Sequence, residues 1–464
     1  MNHFGILLYI SFIGQEVKQE KMEINVNVSK LVKPSTPTPS TLRNFHISFF
    51  DDKSGNENVP LILYYSTSHK EPNDVQTNIF NHLEISLSKT LTEFYPLAGR
   101  YTRHSSFIDC NDQGALYIQA KANFQLSEFL HLKWELKSDM LQDFLPCDIR
   151  KAGEVDDPLL SVKVTTFDCG GVAIGMCISH KFGDMAAFCT FINNWATRSR
   201  KTGNELEVAK YSPLFALADR FPKPDQQLSD EAFERSPSVN NSVMRVFSFK
   251  GYAITKLREK VMSEDNNIKH RPSKVQLIVA LLWKAFVDID KANGQSKVSF
   301  VSQVVNLRNV LVPRAPENFC GNFVTFANAQ IKVSEEDNMV DLPLIVKLLH
   351  DSTSKTTSGY ARALSHPEKD YDFLSKPFSE RLKSITGNSD VNAYVFTSWC
   401  KFSFYTTDFG WGKPVWRSIT DMKTPQTVVM MDDEEGDGVE AWVLMDKKRM
   451  CELERDLNIK AYMV

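Results

Sequence analysis

Along this chain the spacing of apolar residues changes period several times, and each change marks an element. Met22 opens MEINVNVSKLVKPSTPTPS, which predicts a first strand followed by a Pro/Ser/Thr loop. VPLILYYS, residues 59–66, is a short apolar run of strand character. In NIFNHLEISLSKTLTEF, residues 78–94, Ile79, Leu83, Leu87 and Phe94 fall at helical spacing, and Pro96 and Gly99 end the predicted helix. Residues 158–180, PLLSVKVTTFDCGGVAIGMCISH, predict two strands joined by a turn at Cys169, Gly170 and Gly171. Beyond Asp184 the period changes again, and Phe188, Phe191, Ile192 and Trp195 share one helical face.

The second half repeats this alternation after a polar, punctuated stretch, residues 221–242, which is the best linker in the sequence. VMRVFSF (243–249) predicts a strand, AITKLREKVM (253–262) a helix, SKVQLIVALLWKAF (273–286) a strongly apolar helix and KVSFVSQVVNL (297–307) a strand. TVVMM and VEAWVLM flank DDEEGDG (432–438), a hairpin with Gly436 and Gly438 in its turn. The mixed order predicts an α/β layered architecture. Its expected division is an extension over 1–21, a first domain over 22–222, a crossover loop over 223–242 and a second domain over 243–464.

Composition narrows the function classes. A chain of 464 residues is too long for one ordinary core. A net charge of −3 without a basic block argues against a nucleic-acid partner. Eight cysteines are scattered without a CxxC pair, so reduced thiols are expected, with Cys169, Cys177 and Cys189 in apolar stretches as small hydrophobes, and no metal site is expected. DDEEGDG lacks EF-hand spacing and reads as a solvated turn. FGILLYISFIG (4–14) is too short to span a bilayer, has no Lys or Arg before it and no cleavage site after it. A cytoplasmic protein is expected, with a poorly ordered extension or an alternative start at Met22; a cryptic signal is the competing reading. GQSKV and GNSDV lack the closing glycine of a nucleophile elbow, and neither a P-loop, a GxGxxG nor an HExxH occurs.

One spacing carries candidate chemistry. In CISHKFGDMAAF, His180 ends an apolar strand and Asp184 follows four residues later. Chance supplies about one HxxxD in a chain with ten histidines. The second match, His366 to Asp370 in SHPEKDYDF, reads as an exposed loop. His180 instead stands where a polar side chain either faces a pocket or is buried at a cost. Gly183 supplies a tight turn, and Asp184 reads as the N-cap of the following helix. On these residues alone, His180 is either a base or a satisfied buried histidine.

DFGWGKP (408–414), with FYPLAGR (94–100) upstream and HKFGD (180–184) between, resembles the BAHD family of plant acyl-CoA-dependent acyltransferases. The resemblance runs from about Lys30 to the end. VNLRN, FCGNF and TSWCKFSFYTTDFGWGKP are similar to the branch that acetylates alkaloids. It implies two similar-sized α/β domains related to chloramphenicol acetyltransferase, with a channel between them and His180 midway as general base. It implies direct acyl transfer from acetyl-CoA or another acyl-CoA to a small-molecule alcohol, without metal or membrane, by a monomer. Asp184 is then turned away from the pocket and paired with Arg308; Gly183, Gly410 and Trp411 support the site. Asp408 is functional in some relatives and expected to act at a distance. Thr397 and Ser398 are candidates for holding the oxyanion. Ser273 and Lys274 are candidates for contacts to coenzyme A, with a solvated helix start as the alternative.

Two departures stand out. Met185 occupies a position where members often have glycine, and FCGNF differs from the YFGNC of malonyl-transferring members. By analogy the acceptor is a bulky apolar alcohol such as a monoterpenoid indole alkaloid. The alternatives are a malonyl donor, a terpenoid or phenolic acceptor, and a catalytically silent ligand-binding protein. A serine-type enzyme with a covalent intermediate is disfavoured by the missing elbow.

Overall fold

The structure is a computed structural model that describes residues 21–66, 72–102, 107–149, 157–200, 205–224, 241–265, 268–294, 298–333, 340–366, 368, 370–386, 390–402, 404–422 and 424–463. The expected extension, apart from Lys21, and most of the expected crossover loop lie outside these residues.

Two six-stranded sheets organise the chain. The first runs in the order β1 (Ile24–Val32), β6 (Ala115–Ala122), β7 (Leu160–Thr166), β8 (Val172–Ser179), β3 (Asn58–Tyr65) and β13 (Trp416–Ser418). The second runs β11 (Val324–Lys332), β10 (Val298–Asn306), β12 (Val391–Ser398), β14 (Thr427–Asp432), β15 (Val439–Asp446) and β9 (Ser242–Phe249). A small third sheet joins β2 (Asn44–His46), β5 (Phe107–Asp109) and β4 (Arg100–Thr102). Strands β3, β7 and β8 are buried along their whole length; β3 and β8 read as nearly continuous apolar runs, whereas β7, LSVKVTT, alternates and buries its polar residues too.

Helices cover both sheets. Met185–Ser199 begins at Asp184, whose side chain accepts from the Ala186 and Ala187 amides. Its Trp195 indole donates to the Leu83 carbonyl at 3.2 Å, tying it to helix Pro72–Glu93. Lys274–Ala292 begins at Ser273 and is buried on nearly every side, as its apolar composition foretells. It is fastened to the second sheet by Trp283 Nε1 on Ser299 Oγ at 2.9 Å and by the Tyr394 hydroxyl on Asp290 at 2.8 Å.

Strand β14 shows how the second sheet serves two cores. Val428 and Met430 join the cluster beneath helix Lys274–Ala292, while Val429 and Met431 join the cluster centred on the first sheet. Period-two alternation sends neighbours to opposite faces. The sheets are further stitched by β13, which lies late in the chain yet pairs with β3. From that strand Arg417, fully buried, crosses to the second sheet, donating to Glu440 at 2.6 Å and to the Asp432 carbonyl. Trp416 packs tilted against Tyr64 with centroids 5.0 Å apart and lies 6.3 Å from Trp442 of β15.

One expectation is corrected. Cys169 is exposed, because it occupies the tip of the β7–β8 turn beside Gly170 at φ +83, while Cys177 is buried within the strand. No described helix is long and apolar enough to cross a membrane.

Replacing Arg417 by Ala should cost about 3–5 kcal/mol, since it strands the Glu440 carboxylate and an acceptor carbonyl between the sheets. A thermal unfolding midpoint equal to that of the parent protein would show that the crossing contributes nothing.

Candidate active site

The strand-to-helix turn after β8 is built from both halves of the chain. The His180 amide donates to the Glu57 carbonyl at 3.0 Å, extending the β8–β3 pairing one step beyond the strand. Phe182 N closes a turn onto Ser179 O. A Cβ at Gly183 would lie 2.6 Å from Ala187 Cβ, so glycine is what lets the turn enter the helix so abruptly.

Asp184 then does two jobs with one carboxylate. Besides capping the helix, it accepts from Arg308 Nη1 at 2.7 Å and Nη2 at 3.0 Å, and from the Phe323 amide at 3.0 Å. Arg308 spends its remaining donors on the carbonyls of Phe319 and Gly321 and on Asn306 Oδ1. The pair is buried and its hydrogen bonds are made within the protein, the condition under which a buried ion pair is tolerated. It clamps segment 319–323 against the helix start, and none of the Asp184 carboxylate's hydrogen bonds goes to His180.

That clamp delivers Asn322 to His180. His180 Nδ1 lies 3.1 Å from Asn322 Oδ1. Asn322 Nδ2 donates to Asp51 Oδ1 at 2.9 Å and to the His180 carbonyl at 2.5 Å, and Asn322 N donates to Asp51 Oδ1 at 2.6 Å. Asp51 is held in turn by the amide and hydroxyl of Ser48 at 2.9 and 2.6 Å. The network assigns the protons: both Asn322 N–H groups face acceptors, so its oxygen faces His180, and Nδ1 must carry the hydrogen. In the neutral ring the lone pair is then on Nε2. Burial pushes the Asp51 carboxyl up while the Ser48 and Asn322 hydrogen bonds pull it down.

The nearby thiols are held neutral. Burial pushes Cys320 up to about 12, and burial with the Asp184 charge pushes Cys189 up further. Neither is a thiolate nucleophile at neutral pH.

The remaining candidates are spread out. Thr397 and Ser398 are neighbours on β12 and face opposite ways. Thr397 pairs with Val429, whose face meets the first sheet, whereas Ser398 pairs with Met430, whose face meets helix Lys274–Ala292. Ser273 Oγ accepts from the Gln276 amide as an N-cap. Lys274 Nζ pairs with Asp432 at 2.8 Å and donates to the carbonyls of Gly436 and Gly438, so it holds the β14–β15 hairpin.

Asp408, the catalytic candidate expected to act at a distance, stands apart. Its carboxylate accepts from the amides of Gly410 and Gly412 at 2.7 and 2.9 Å, both glycines having positive φ. Phe409 is buried against Trp195 at 4.9 Å and its carbonyl accepts from Ser199 Oγ. Trp411 is half-buried, stacked on Phe409 at 5.9 Å. The loop therefore sits at the far end of the helix that Asp184 begins, and 15 residues at 1.5 Å each put it about 22 Å away. Asp408 shapes that loop and is too distant to touch a group at His180.

Asn322, Asp51 and Ser48 were not singled out in the sequence. Ser48-Phe-Phe-Asp51 has capping-box spacing, which both residues fulfil on helix Phe49–Asp52, but that pattern points to a helix start rather than to His180.

The transferase family model matches residues 22–459. The chain belongs to the BAHD acyltransferase family. It is 36% identical to vinorine synthase of Rauvolfia serpentina over 443 residues, covering 92% of this chain and 95% of that one. It is 33% identical to stemmadenine O-acetyltransferase of Catharanthus roseus, covering 94% and 97%. It is 32% identical to a pelargonidin-glucoside malonyltransferase of Salvia splendens, covering 95% and 100%. The crystal structure of vinorine synthase superposes with a TM-score of 0.77 at 31% identity over 95% of this chain and 98% of that one. This BAHD protein is thus an acyl-transferring enzyme that uses an acyl-CoA co-substrate, in a two-domain fold shared with vinorine synthase.

Two outcomes test the site's construction. Asp184→Ala leaves Arg308 buried without its carboxylate and should lower stability by about 3–5 kcal/mol, read as a fall in the unfolding midpoint. Asn322→Ala should mix the His180 tautomers, seen as movement of the ring ¹⁵N shifts towards their average; unchanged shifts would mean that another group assigns the proton.

Proposed function

We propose that this enzyme transfers an acetyl group from acetyl-CoA directly to the hydroxyl of a bulky specialised metabolite, with His180 Nε2 as the general base. The observation that carries this reading is the Asn322 amide at His180 Nδ1, which leaves the lone pair on Nε2. In the reaction Nε2 takes the acceptor's hydroxyl proton as its oxygen bonds to the thioester carbonyl. The tetrahedral adduct collapses, the carbon–sulfur bond breaks, and the imidazolium returns the proton to the departing thiolate. No acyl-enzyme is required, in keeping with the protonated thiols beside the turn.

Thr397, on the β12 face turned towards the first sheet, is the candidate donor to the oxyanion. Residues 22–222 supply His180, and residues 243–464 supply Arg308, Asn322 and Thr397. The alkaloid-acetylating relatives, vinorine synthase and stemmadenine O-acetyltransferase, support acetyl as the donor group and make a monoterpenoid indole alkaloid the first acceptor class to try.

Purified protein with acetyl-CoA and a panel of hydroxylated alkaloids, terpenoids and phenolics should yield a product heavier by one acetyl group in mass spectrometry. His180→Ala should lower the rate by about 10²–10⁴-fold, the usual contribution of general-base catalysis. Transfer persisting unchanged in that variant would sink the single-base mechanism, and a preference for malonyl-CoA would replace the donor.

A further inference from the structure

Two of the eight cysteines, Cys147 and Cys177, meet where a short segment crosses the first sheet. Strands β8 and β3 pair with Ser179 opposite Asn58, Cys177 opposite Pro60 and Gly175 opposite Ile62, so these side chains share one face. Segment 142–147, which follows helix Trp134–Leu141, lies against that face. Phe144 packs edge-on to Tyr64 with centroids 5.4 Å apart. A Cβ at Gly175 would stand 2.0 Å from the Phe144 carbonyl oxygen, so the absent side chain is what admits the segment. Lys163, opposite Gly175 on β7, donates to the Asp143 carbonyl at 2.5 Å. Three residues beyond Phe144, Cys147 arrives over the next row of the same face. Asn58 Nδ2 lies 3.9 Å from its sulfur, and the Cys177 thiol hydrogen-bonds to it. Gln142 Nε2 holds the Cys147 backbone in place by donating to its carbonyl at 2.7 Å.

The two sulfurs are unequal. Cys147 is partly exposed and Cys177 is fully buried. The hydrogen bond from Cys177, joined by the one from Asn58, holds the Cys147 thiol below its ordinary value despite burial. Burial, reinforced by that donated hydrogen bond, holds Cys177 well above its own. An accessible sulfur that ionises readily, set against a protonated partner, suits one thiol to be oxidised first and the other to resolve it.

We propose that Cys147 and Cys177 are a redox-active pair that a hydroperoxide closes to a disulfide, fastening segment 142–147 to the strand that leads into His180. The Cys147 thiolate attacks a peroxide oxygen; the oxygen–oxygen bond breaks, the departing hydroxide takes a proton to leave as water, and Cys147 becomes a sulfenic acid. The Cys177 sulfur then bonds to the Cys147 sulfur, its proton leaving with the displaced hydroxyl as a second water. Two thiols are thus oxidised, one hydrogen peroxide is reduced to two waters, and a dithiol reductant reverses the change. The bridge closes a loop of about 30 residues, which restricts the unfolded chain and stabilises the folded one.

The test treats the reduced full chain with hydrogen peroxide, blocks remaining thiols with N-ethylmaleimide and digests the protein without reductant. Mass spectrometry should find the peptides of Cys147 and Cys177 joined, two hydrogens lighter than the separate pair, and parted again by dithiothreitol. The oxidised protein should unfold several degrees above the reduced one and exchange amide hydrogens more slowly over residues 142–149. Cys177→Ala should halt the reaction at the sulfenic acid, trapped on Cys147 by dimedone, and Cys147→Ser should leave Cys177 a free thiol. Cys147 oxidised in the parent while Cys177 stays free, or a disulfide running through the exposed Cys169 or Cys451 in place of this one, overturns the pair. A cross-link that leaves the unfolding midpoint and the exchange of 142–149 unchanged overturns the fastening.

Discussion

The ion pair between Asp184 and Arg308 is the constraint from which the candidate site follows. A charge pair this deep is tolerated only when its donors and acceptors are met, and here the helix amides, the Phe323 amide and the carbonyls of Phe319 and Gly321 meet them. Meeting them fixes two pieces of chain that are 124 residues apart in sequence. Once segment 319–323 is docked, Asn322 has one place to go, between the Asp51 carboxylate and His180. The most polar contact of the turn therefore acts on His180 through geometry rather than through its own charge.

The same economy runs through the rest of the molecule. Where the two sheets meet, Arg417 and Trp416 arrive on a strand contributed by the late part of the chain to the early sheet. Asp408 folds its own loop by accepting two glycine amides, and Phe409 anchors that loop beneath Trp195. The two motifs that stand out in the sequence thus grip opposite ends of one helix.

Much of the fold and part of the site were legible in the sequence, for a common physical reason. Periodicity, caps and turns are local: the apolar runs of β3 and β8, the Asp184 cap, and the glycine at 183 depend on neighbours within a few residues. His180 at the end of an apolar strand, and the exposed His366 as its contrast, belong to this local class.

What the tertiary structure alone decided depends on contacts between distant segments. Cys169 looked apolar from its neighbours and lies exposed at a turn tip. Thr397 and Ser398 were equivalent as letters, yet the pairing of β12 with β14 sends them to opposite faces. Asp408, expected to act at a distance, lies in a loop a helix length from the His180 turn. Asn322 and Asp51 carry no local signature of their roles, because a tautomer is set by which atoms meet across more than a hundred residues. Sequence determines the elements and where a histidine can be presented; only the folded packing determines which of its nitrogens stays free.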